Sequence, residues 1–245
     1  MTAPQVDPQE LEPFTDRAWP PLTRARLGEW RLNASTGWSA RINACWVLGD
    51  PGLDESAAVS AAEAWYRQRG LPPKFKLLDA NSHGGLSGRL IAAGYAPGKE
   101  TIVMVGQTGR RGAEGVELAE DAGEGFQAVF AAATAPADAA ERIGALGRVP
   151  RPRRMATVRC EESPAAIGAC AVEPPWAGIF AMRTAPEHRR KGLGQKVLQA
   201  LLTEASGLGA ERAWLQVEAA NLSAVRLYAR EGFEEAYRYR YYTLT

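Results

Sequence analysis

The stretch "EHRRKGLGQKVLQALL", residues 187–202, places three consecutive cations and two glycines directly before a long run with helical periodicity. A glycine-rich turn between a strand and a helix lets backbone N–H groups approach an anion closely, and the helix N-terminus adds partial positive charge. Gly192 and Gly194 occupy that turn. Full positive charges come from Arg189, Arg190 and Lys191. The pattern alone fits a diphosphate site, and it also fits a solvated basic loop.

Two other phosphate-binding motifs do not fit this stretch. The Walker pattern requires a Gly-Lys-Ser/Thr ending, which the loop lacks, and the GxGxxG pattern fails because Val197 stands at the third glycine position. Nucleoside triphosphates and dinucleotides are therefore disfavoured as ligands of this loop.

Composition limits the class of protein. The 245 residues carry 29 Lys and Arg against 28 Asp and Glu, so no global basic field indicates nucleic acid or an anionic membrane as a partner. Because neither a signal-peptide pattern nor an apolar run of about 18 residues occurs, we expect a soluble cytoplasmic protein. Cys45, Cys160 and Cys170 are odd in number and lack CxxC spacing, so we expect buried thiols, no disulfide framework and no metal.

Strand-like and helix-like segments alternate along the chain after residues 1–27, which are Pro-rich and acidic. Strands are predicted at residues 30–35, 40–49, 74–79, 100–108, 116–120, 154–162, 166–173, 177–184, 213–219 and 236–244. Helices are predicted at residues 53–70, 86–95, 194–209 and 221–232, together with an Ala-rich helical stretch that Pro136 interrupts. This alternation predicts an α/β fold, a mixed twisted sheet with helices on both faces.

The two halves of the chain resemble each other locally. "LSGRLIAAGY" (86–95) and "LSAVRLYAREGF" (222–233) share a Leu-Ser start, an Arg-Leu centre and a terminal Gly-aromatic pair. Residues 109–115, "GRRGAEG", combine glycine and charge without periodicity and are predicted to be a linker. The likeness fits either an internal duplication or chance.

The spacing Arg189-x-x-Gly192-x-Gly194 is the (Q/R)xxGx(G/A) signature of the GNAT N-acetyltransferase superfamily. Before it, "GIFAMRTAPEHRRKGLG" resembles the fourth strand and pyrophosphate loop of that family. After it, "LQVEAANLSAVRLYAREGF" resembles the fifth strand and the following helix. Residues 37–78 resemble the N-terminal domain of a two-domain GNAT subgroup, whose front half is degenerate. The resemblance implies two GNAT-like domains in tandem, a degenerate one at 1–110 and a catalytic one at 116–245, with one cofactor site.

The resemblance also implies where acetyl-CoA binds. It lies in a V-shaped opening between the fourth and fifth strands, with backbone groups of Met182 and Thr184 on the pantetheine arm. An N–H group near Met182 then polarises the thioester carbonyl. Backbone N–H groups from Arg190 to Gln195 hold the pyrophosphate. The predicted cofactor-binding residues are Met182, Arg183, Thr184, Arg189, Arg190, Lys191, Gly192, Leu193, Gly194, Gln195 and Asn221.

In the family the amine attacks the thioester directly, so no covalent acyl-enzyme is implied, but two proton transfers are needed. Tyr228 matches the tyrosine that commonly acts as the acid, although a helix tyrosine packed on the sheet gives the same pattern. Several relatives use a glutamate of the fifth strand as the base, and this chain has Gln216 there, a neutral amide. Glu218 lies two residues on, on the same strand face, as a base acting directly or through water, or as a solvated carboxylate.

The sequence therefore predicts an acyltransferase, an N-acetyltransferase that moves an acetyl group from acetyl-CoA directly to a primary amine of a small molecule or peptide. Two alternatives stay open: a non-catalytic acyl-CoA binding or sensing protein, and a protein-lysine or N-terminal acetyltransferase. The sequence leaves open the amine acceptor, the acyl-chain preference and the oligomeric state.

Overall fold

The computed structural model describes residues 6–79, 85–109, 111–112, 114–132 and 134–244. The first half contains α1 (Pro8–Ala18), β1 (Thr23–Leu27), β2 (Trp30–Ala34), β3 (Cys45–Trp46), α2 (Glu55–Arg67), β4 (Lys74–Leu78), α3 (Leu86–Ala92), β5 (Tyr95–Pro97) and β6 (Thr101–Gln107). The second half contains β7 (Glu117–Ala119), α4 (Glu124–Ala131), α5 (Pro136–Arg148), β8 (Arg153–Cys160), β9 (Ser163–Glu173), β10 (Trp176–Thr184), α6 (Leu193–Gly207), β11 (Arg212–Glu218), α7 (Leu222–Arg230) and β12 (Glu234–Leu244).

The strands of the described residues form one sheet in the order β1-β2-β3-β4-β12-β6-β11-β10-β9-β8-β7, with β5 paired to β12. Two neighbouring pairs, β3 with β4 and β10 with β11, are parallel, and the others are antiparallel. Helices α1, α4 and α5 share one apolar core with one face of the sheet, whereas α2, α3, α6 and α7 pack on the other face. The predicted mixed sheet with helices on both faces is confirmed.

The two halves exchange their last strands. Strand β6 of the first half lies between β11 and β12, and pairs with β11 along its whole length. The start of β12 pairs with β6 as far as Tyr239, from Tyr239 onward β12 pairs with β4, and its last residues from Tyr242 also pair with β5. One continuous sheet therefore joins the segments on either side of the predicted linker, and the division into 1–110 and 116–245 stays a prediction.

Helix α1 forms in a Pro-rich segment for which the sequence predicted no element. Pro8 stands in the first turn, where the missing N–H has no helical acceptor to lose. Asp7 caps the helix, because its Oδ1 accepts a hydrogen bond of 2.9 Å from the N–H of Gln9. The buried Leu11 and Ala18 then fix α1 on the sheet.

The predicted strand at residues 40–49 is wrong over most of its length. Only Cys45–Trp46 is a strand, and Ala40–Ile42 forms a 3₁₀ turn. The side chain of Asn43 accounts for the difference, since its Oδ1 accepts N–H groups of Ser35 at 2.7 Å and Gly37 at 3.0 Å. Such local side-chain bonds offer the backbone an alternative to ladder pairing.

Helix α6 has a fully buried apolar stripe that holds its N-terminus in place. Val197, Leu198, Leu201 and Leu202 are each 0% exposed. Burying one such side chain contributes about 1.5–3 kcal/mol, so the helix position is strongly determined by its packing against β8, β9 and β10. The loop in front of α6 is thereby presented at the end of β10.

All three cysteines are free thiols; Cys45 and Cys170 are buried, and Cys160 is half-buried. Burial raises the pKa of Cys170 to about 12. Within the described ranges there is no group of three or more His, Cys, Asp or Glu side chains that could hold a metal ion. Of the helices in those ranges, none is both long and apolar enough to cross a membrane.

Candidate functional site

Strands β10 and β11 start as a parallel pair and then separate. Their register runs from Trp176 opposite Arg212 to Ile179 opposite Leu215. Beyond this point β10 continues to Thr184 along β9, while β11 continues along β6 on its other side. The facing edges of the two strands therefore enclose a V-shaped opening in the middle of the sheet.

A one-residue bulge in β10 decides which side chains face each side of this opening. Ala181 has a φ of 56°, and the register of β10 with β9 shifts at this point. An extra residue reverses the alternation of side chains along a strand. Met182 consequently lies against Gly168 on the α6 face, and the guanidinium of Arg183 lies 4.9 Å from the ring centre of Phe130 on the opposite face.

The loop between β10 and α6 leaves a row of backbone donors unused. None of the six N–H groups from Arg190 to Gln195 has an acceptor among the described residues. Arg190 and Gly192 adopt left-handed backbone with φ of 61° and 76°, an arrangement that turns successive N–H groups toward one side. A Cβ at Gly192 would meet no atom within 4 Å, so the space before these donors is open.

Positive charge surrounds this row of donors, and we call the six N–H groups together with the three cations, all within residues 189–195, the anion cradle. Arg189, Arg190 and Lys191 are exposed, and no carboxylate of the described residues forms an ion pair with them. The Nε of Arg189 donates to the carbonyl of Thr184 at 3.3 Å, which ties the loop to the end of β10. The 15-residue α6 adds its N-terminal partial charge. These residues fit a diphosphate.

Other predicted cofactor-binding residues lie at the N-terminal ends of α6 and α7. The side chain of Gln195 donates to the buried Glu231 at 2.6 Å, and the side chain of Leu193 is buried. These two residues therefore contribute only their backbone N–H groups to the anion cradle. A Cβ on Gly194 would lie 3.6 Å from Thr184 Oγ1, which places the start of α6 beside the end of β10. Asn221 caps α7, where its Oδ1 accepts the N–H of residue 224 at 3.3 Å.

Tyr228 lies on α7, on the same face of the sheet as the anion cradle. It is 7% exposed, and its ring centre is 6.2 Å from that of Phe233. Among the described residues no group hydrogen-bonds to its hydroxyl, and burial raises its pKa to about 12. The hydroxyl therefore keeps its proton at neutral pH and has a free donor.

Gln216 and Glu218 lie on the other face of the sheet, because they alternate with the α6-facing Leu215 and Val217. Gln216 is held by Tyr239, whose hydroxyl donates to Oε1 at 3.1 Å. Glu218 is about half exposed and forms a 3.0 Å ion pair with Lys99 at the rim of the opening. The structure thus brings Gln216 and Glu218 to one side and Tyr228 to the other.

A buried polar cluster beside Tyr239 was not found from the sequence. Lys76 is 1% exposed and forms a salt bridge with the carboxylate of Glu12. Its Nζ lies 3.8 Å from the ring centre of Trp46 and 4.2 Å from that of Tyr239. Tyr237 donates to Glu12 Oε1 at 2.7 Å. Burial, followed by the Glu12 charge, raises the pKa of Tyr237. Lys76 within the apolar strand β4 was the one sequence signal of this cluster. Its partner Glu12 lies on α1, a helix that the sequence did not predict.

Comparison with known proteins gives consistent matches along nearly the whole chain. A family model described as "probable histone acetyltransferase Rv0428c C-terminal" matches residues 7–242. The "uncharacterized N-acetyltransferase YobR" of Bacillus subtilis is 27% identical over 260 residues, which cover 96% of this chain and 98% of the relative.

Solved structures show the same fold at low sequence identity. A GCN5-related N-acetyltransferase from Kribbella flavida superposes with a TM-score of 0.73 at 17% identity, over 98% of this chain and 96% of that one. A tandem GNAT protein from the clavulanic acid biosynthesis pathway, solved without AcCoA, has a TM-score of 0.62 at 15% identity, over 92% of this chain and 84% of that one.

Proposed function

The chain belongs to the family described as probable histone acetyltransferase Rv0428c C-terminal, within the GNAT superfamily of acyltransferases, and we propose that it transfers an acetyl group from acetyl-CoA directly to a primary amine of a small molecule or peptide. The observation that carries the proposal is the anion cradle at the mouth of the V-shaped opening, where six N–H groups have no acceptor and three cations have no ion-pair partner in the part of the chain that the structure describes. Acetyl-CoA would supply the activated acyl group, and the chain would supply binding, orientation and proton transfer.

Binding uses two features of the opening. The anion cradle holds the diphosphate, because its N–H groups and unpaired cations form charge-assisted hydrogen bonds to phosphate oxygens. The unpaired edge of β10 at Met182 and Thr184 offers backbone groups to the pantetheine arm, as an added strand would use them. Both features lie on the same stretch of chain, so the acyl group is directed into the opening beside Ala181.

Proton transfer is assigned to residues on the two sides of the sheet. The Tyr228 hydroxyl donates to the leaving sulfur, since it is protonated and has no acceptor among the residues that the structure describes. Glu218 accepts the amine proton through water, because its carboxylate stands at the solvent-exposed rim. Gln216, with Oε1 held by Tyr239, serves to orient the acceptor, as a neutral amide cannot take a proton.

The test separates binding from catalysis. Calorimetry with acetyl-CoA is expected to give one site per chain, and a thiol reagent is expected to detect CoA release with at least one member of a panel of small amines and peptides. Tight binding without CoA release from any amine, peptide or protein would instead support the acyl-CoA sensing alternative, which the neutral Gln216 favours. Failure to bind acetyl-CoA would contradict both.

A protein acceptor is the second candidate, and the description of the family model as a probable histone acetyltransferase favours it. In this case CoA release is expected only with intact basic proteins. Mass spectrometry of the product would then distinguish a modified lysine side chain from a modified N-terminus.

A further inference from the structure

Arg183 follows the bulge in β10 and points away from the anion cradle, toward the end of α4. Its Nη1 donates to the carbonyl of Ala132 at 3.2 Å and to Thr134 Oγ1 at 2.9 Å. The guanidinium also lies over the ring of Phe130. All of these partners are neutral, and among the described residues neither Nε nor Nη2 of Arg183 has a hydrogen-bond acceptor.

The positive charge of Arg183 has no counter-ion in the described part of the chain. Burial lowers the pKa of Arg183, and the nearby Arg142 lowers it further, whereas Asp138 opposes this effect. Asp138 is itself paired with Arg142, with Nε and Oδ1 2.6 Å apart, so it does not serve as the counter-ion of Arg183. A partly buried cation without a counter-ion is unfavourable, and the described residues leave this site with one uncompensated positive charge.

The register of β10 against β11 and β9 places the charge of Arg183 at the V-shaped opening. The pairing of β10 with β11 ends at Ile179 opposite Leu215, and the bulge adds one residue to β10. Continuing the count brings Arg183 level with Glu218, on the face that also carries Gln216. The proposed base Glu218 lies on this same face, so the acceptor amine is expected to approach the acyl group from the Arg183 side.

We propose that Arg183 binds a carboxylate of the acceptor, so that the substrate class is a small amine that also carries a carboxylate, as amino acids do. The inference rests on the proposed function. A guanidinium whose Nε and Nη2 have no acceptor in the described ranges matches the two oxygens of a carboxylate in a planar, bidentate pair. A single uncompensated charge suits a monoanion better than a phosphate dianion.

The experiment uses product binding, which does not depend on turnover. Calorimetry compares N-acetyl amino acids with their N-acetyl amides on the protein saturated with CoA. At least one acid is expected to bind about 10- to 100-fold more tightly than its amide, the range for charge-assisted hydrogen bonds. In Arg183→Gln this ratio is expected to fall to about one, whereas Arg183→Lys keeps part of it because the charge remains.

Arg148→Gln is the matched control. Arg148 is also a partly buried arginine whose hydrogen bonds go to a carbonyl, that of Pro20, at 3.3 and 3.2 Å, and burial lowers its pKa. This variant is expected to keep the acid-to-amide ratio. If Arg183→Gln weakens the binding of acid and amide equally, Arg183 serves only to hold the end of α4 in place. This result would overturn the inference.

The inference can also fail while the proposed function stands. If acetyl-CoA binds and amines are acetylated, but no N-acetyl amino acid binds or acids and amides bind alike, the carboxylate site is refuted alone. If acetyl-CoA does not bind, the proposed function fails and the inference fails with it.

Discussion

Two helices of this protein begin after a strand that belongs to a parallel pair, and their N-termini are built in opposite ways. At α6 the N–H groups from Arg190 to Gln195 have no protein acceptor in the described residues, and the neighbouring charges are positive. At α2 the carboxylate of Asp54 accepts the N–H groups of Ser56 at 3.0 Å and Ala57 at 3.1 Å. The donors at the start of α6 are thus without acceptors among the described residues, whereas a carboxylate of the chain accepts those at the start of α2.

The loop in front of α2 is closed in the same manner. The N–H of Asp50 donates to Glu29 Oε2 at 2.6 Å, and the N–H of Gly52 donates to Asp50 Oδ1 at 2.8 Å. Hydrogen bonds from Ala57 and Ser56 lower the pKa of Asp54, so its carboxylate stays charged at neutral pH. Carboxylates of the chain thus accept N–H groups that would otherwise be available to a phosphate, as expected if the first half holds no cofactor.

The strands beneath the two helices differ as well. Strands β10 and β11 separate, but pairing between β3 and β4 continues past Trp46 opposite Lys76, since the N–H of Val47 donates to the carbonyl of Lys76 at 3.1 Å. The buried Lys76 and Glu12 fill the space beside this pair. The proposed acetyl-CoA site requires both unsatisfied donors and an opening between strands, and the described part of the first half shows neither beside α2.

The largest expected effect comes from comparing α7, the helix that follows β11, with α3, the helix that follows β4. After its Arg-Leu pair α7 carries Tyr228, 7% exposed, whereas α3 carries Ile91, 53% exposed. Tyr228→Phe is expected to lower turnover roughly ten- to ten-thousandfold, the effect of losing a positioned acid, with acetyl-CoA affinity nearly unchanged. Steady-state kinetics with chemistry shown to be rate-limiting checks this. Wild-type turnover in the variant would make Tyr228 a packing residue and remove this part of the contrast.

The second prediction tests the contrast between the N-termini of α6 and α2 by giving α6 a carboxylate cap like that of α2. Gly192→Asp places a carboxylate at the helix N-cap, where it satisfies the donors and repels a diphosphate, so acetyl-CoA affinity is expected to fall about 100-fold. Calorimetry measures the loss. Gly70→Asp is the control for backbone strain, because Gly70 has a φ of 67° and a Cβ there would also meet no atom within 4 Å. Equal affinities of the two variants would refute the anion cradle.

Removing the cap of α2 is expected to have a smaller effect and to create no second site. Asp54→Ala frees the N–H groups of Ser56 and Ala57, so thermal unfolding is expected a few degrees lower. The carboxylates of Asp50 and Glu29 still occupy the loop, so calorimetry is expected to give one acetyl-CoA per chain in wild type and variant alike. Two molecules per chain in either protein would show that the first half is a functional site.

The smallest expected effect is on pH dependence. Because burial raises the pKa of Tyr228 to about 12, its hydroxyl keeps its proton well above the range of an exposed tyrosine. Turnover is therefore expected to show no decrease from Tyr228 ionisation between about pH 7 and about pH 10. A decrease near the ordinary tyrosine pKa of about 10, absent in Tyr228→Phe, would mean that the buried environment of α7 opens during catalysis.

The sequence by itself determined the features that depend on a few neighbouring residues. The spacing of Arg189, Gly192 and Gly194 predicted the turn before α6, and the Asp54 cap and apolar periodicity predicted α2. Hydrogen bonds within one turn and the alternation of apolar side chains are local, so they can be read from the order of residues. The family assignment followed from the same local motifs and is confirmed over residues 7–242.

Only the tertiary structure decided how distant segments meet. The exchange of β6 and β12 depends on pairing between strands far apart in sequence, and β3 is shortened by the bonds of Asn43. The bulge at Ala181 sends Arg183 to the face opposite the anion cradle, which no alternation rule would predict. Such choices depend on contacts that exist only once the sheet has formed, because each element is stabilised by partners that its own sequence does not contain.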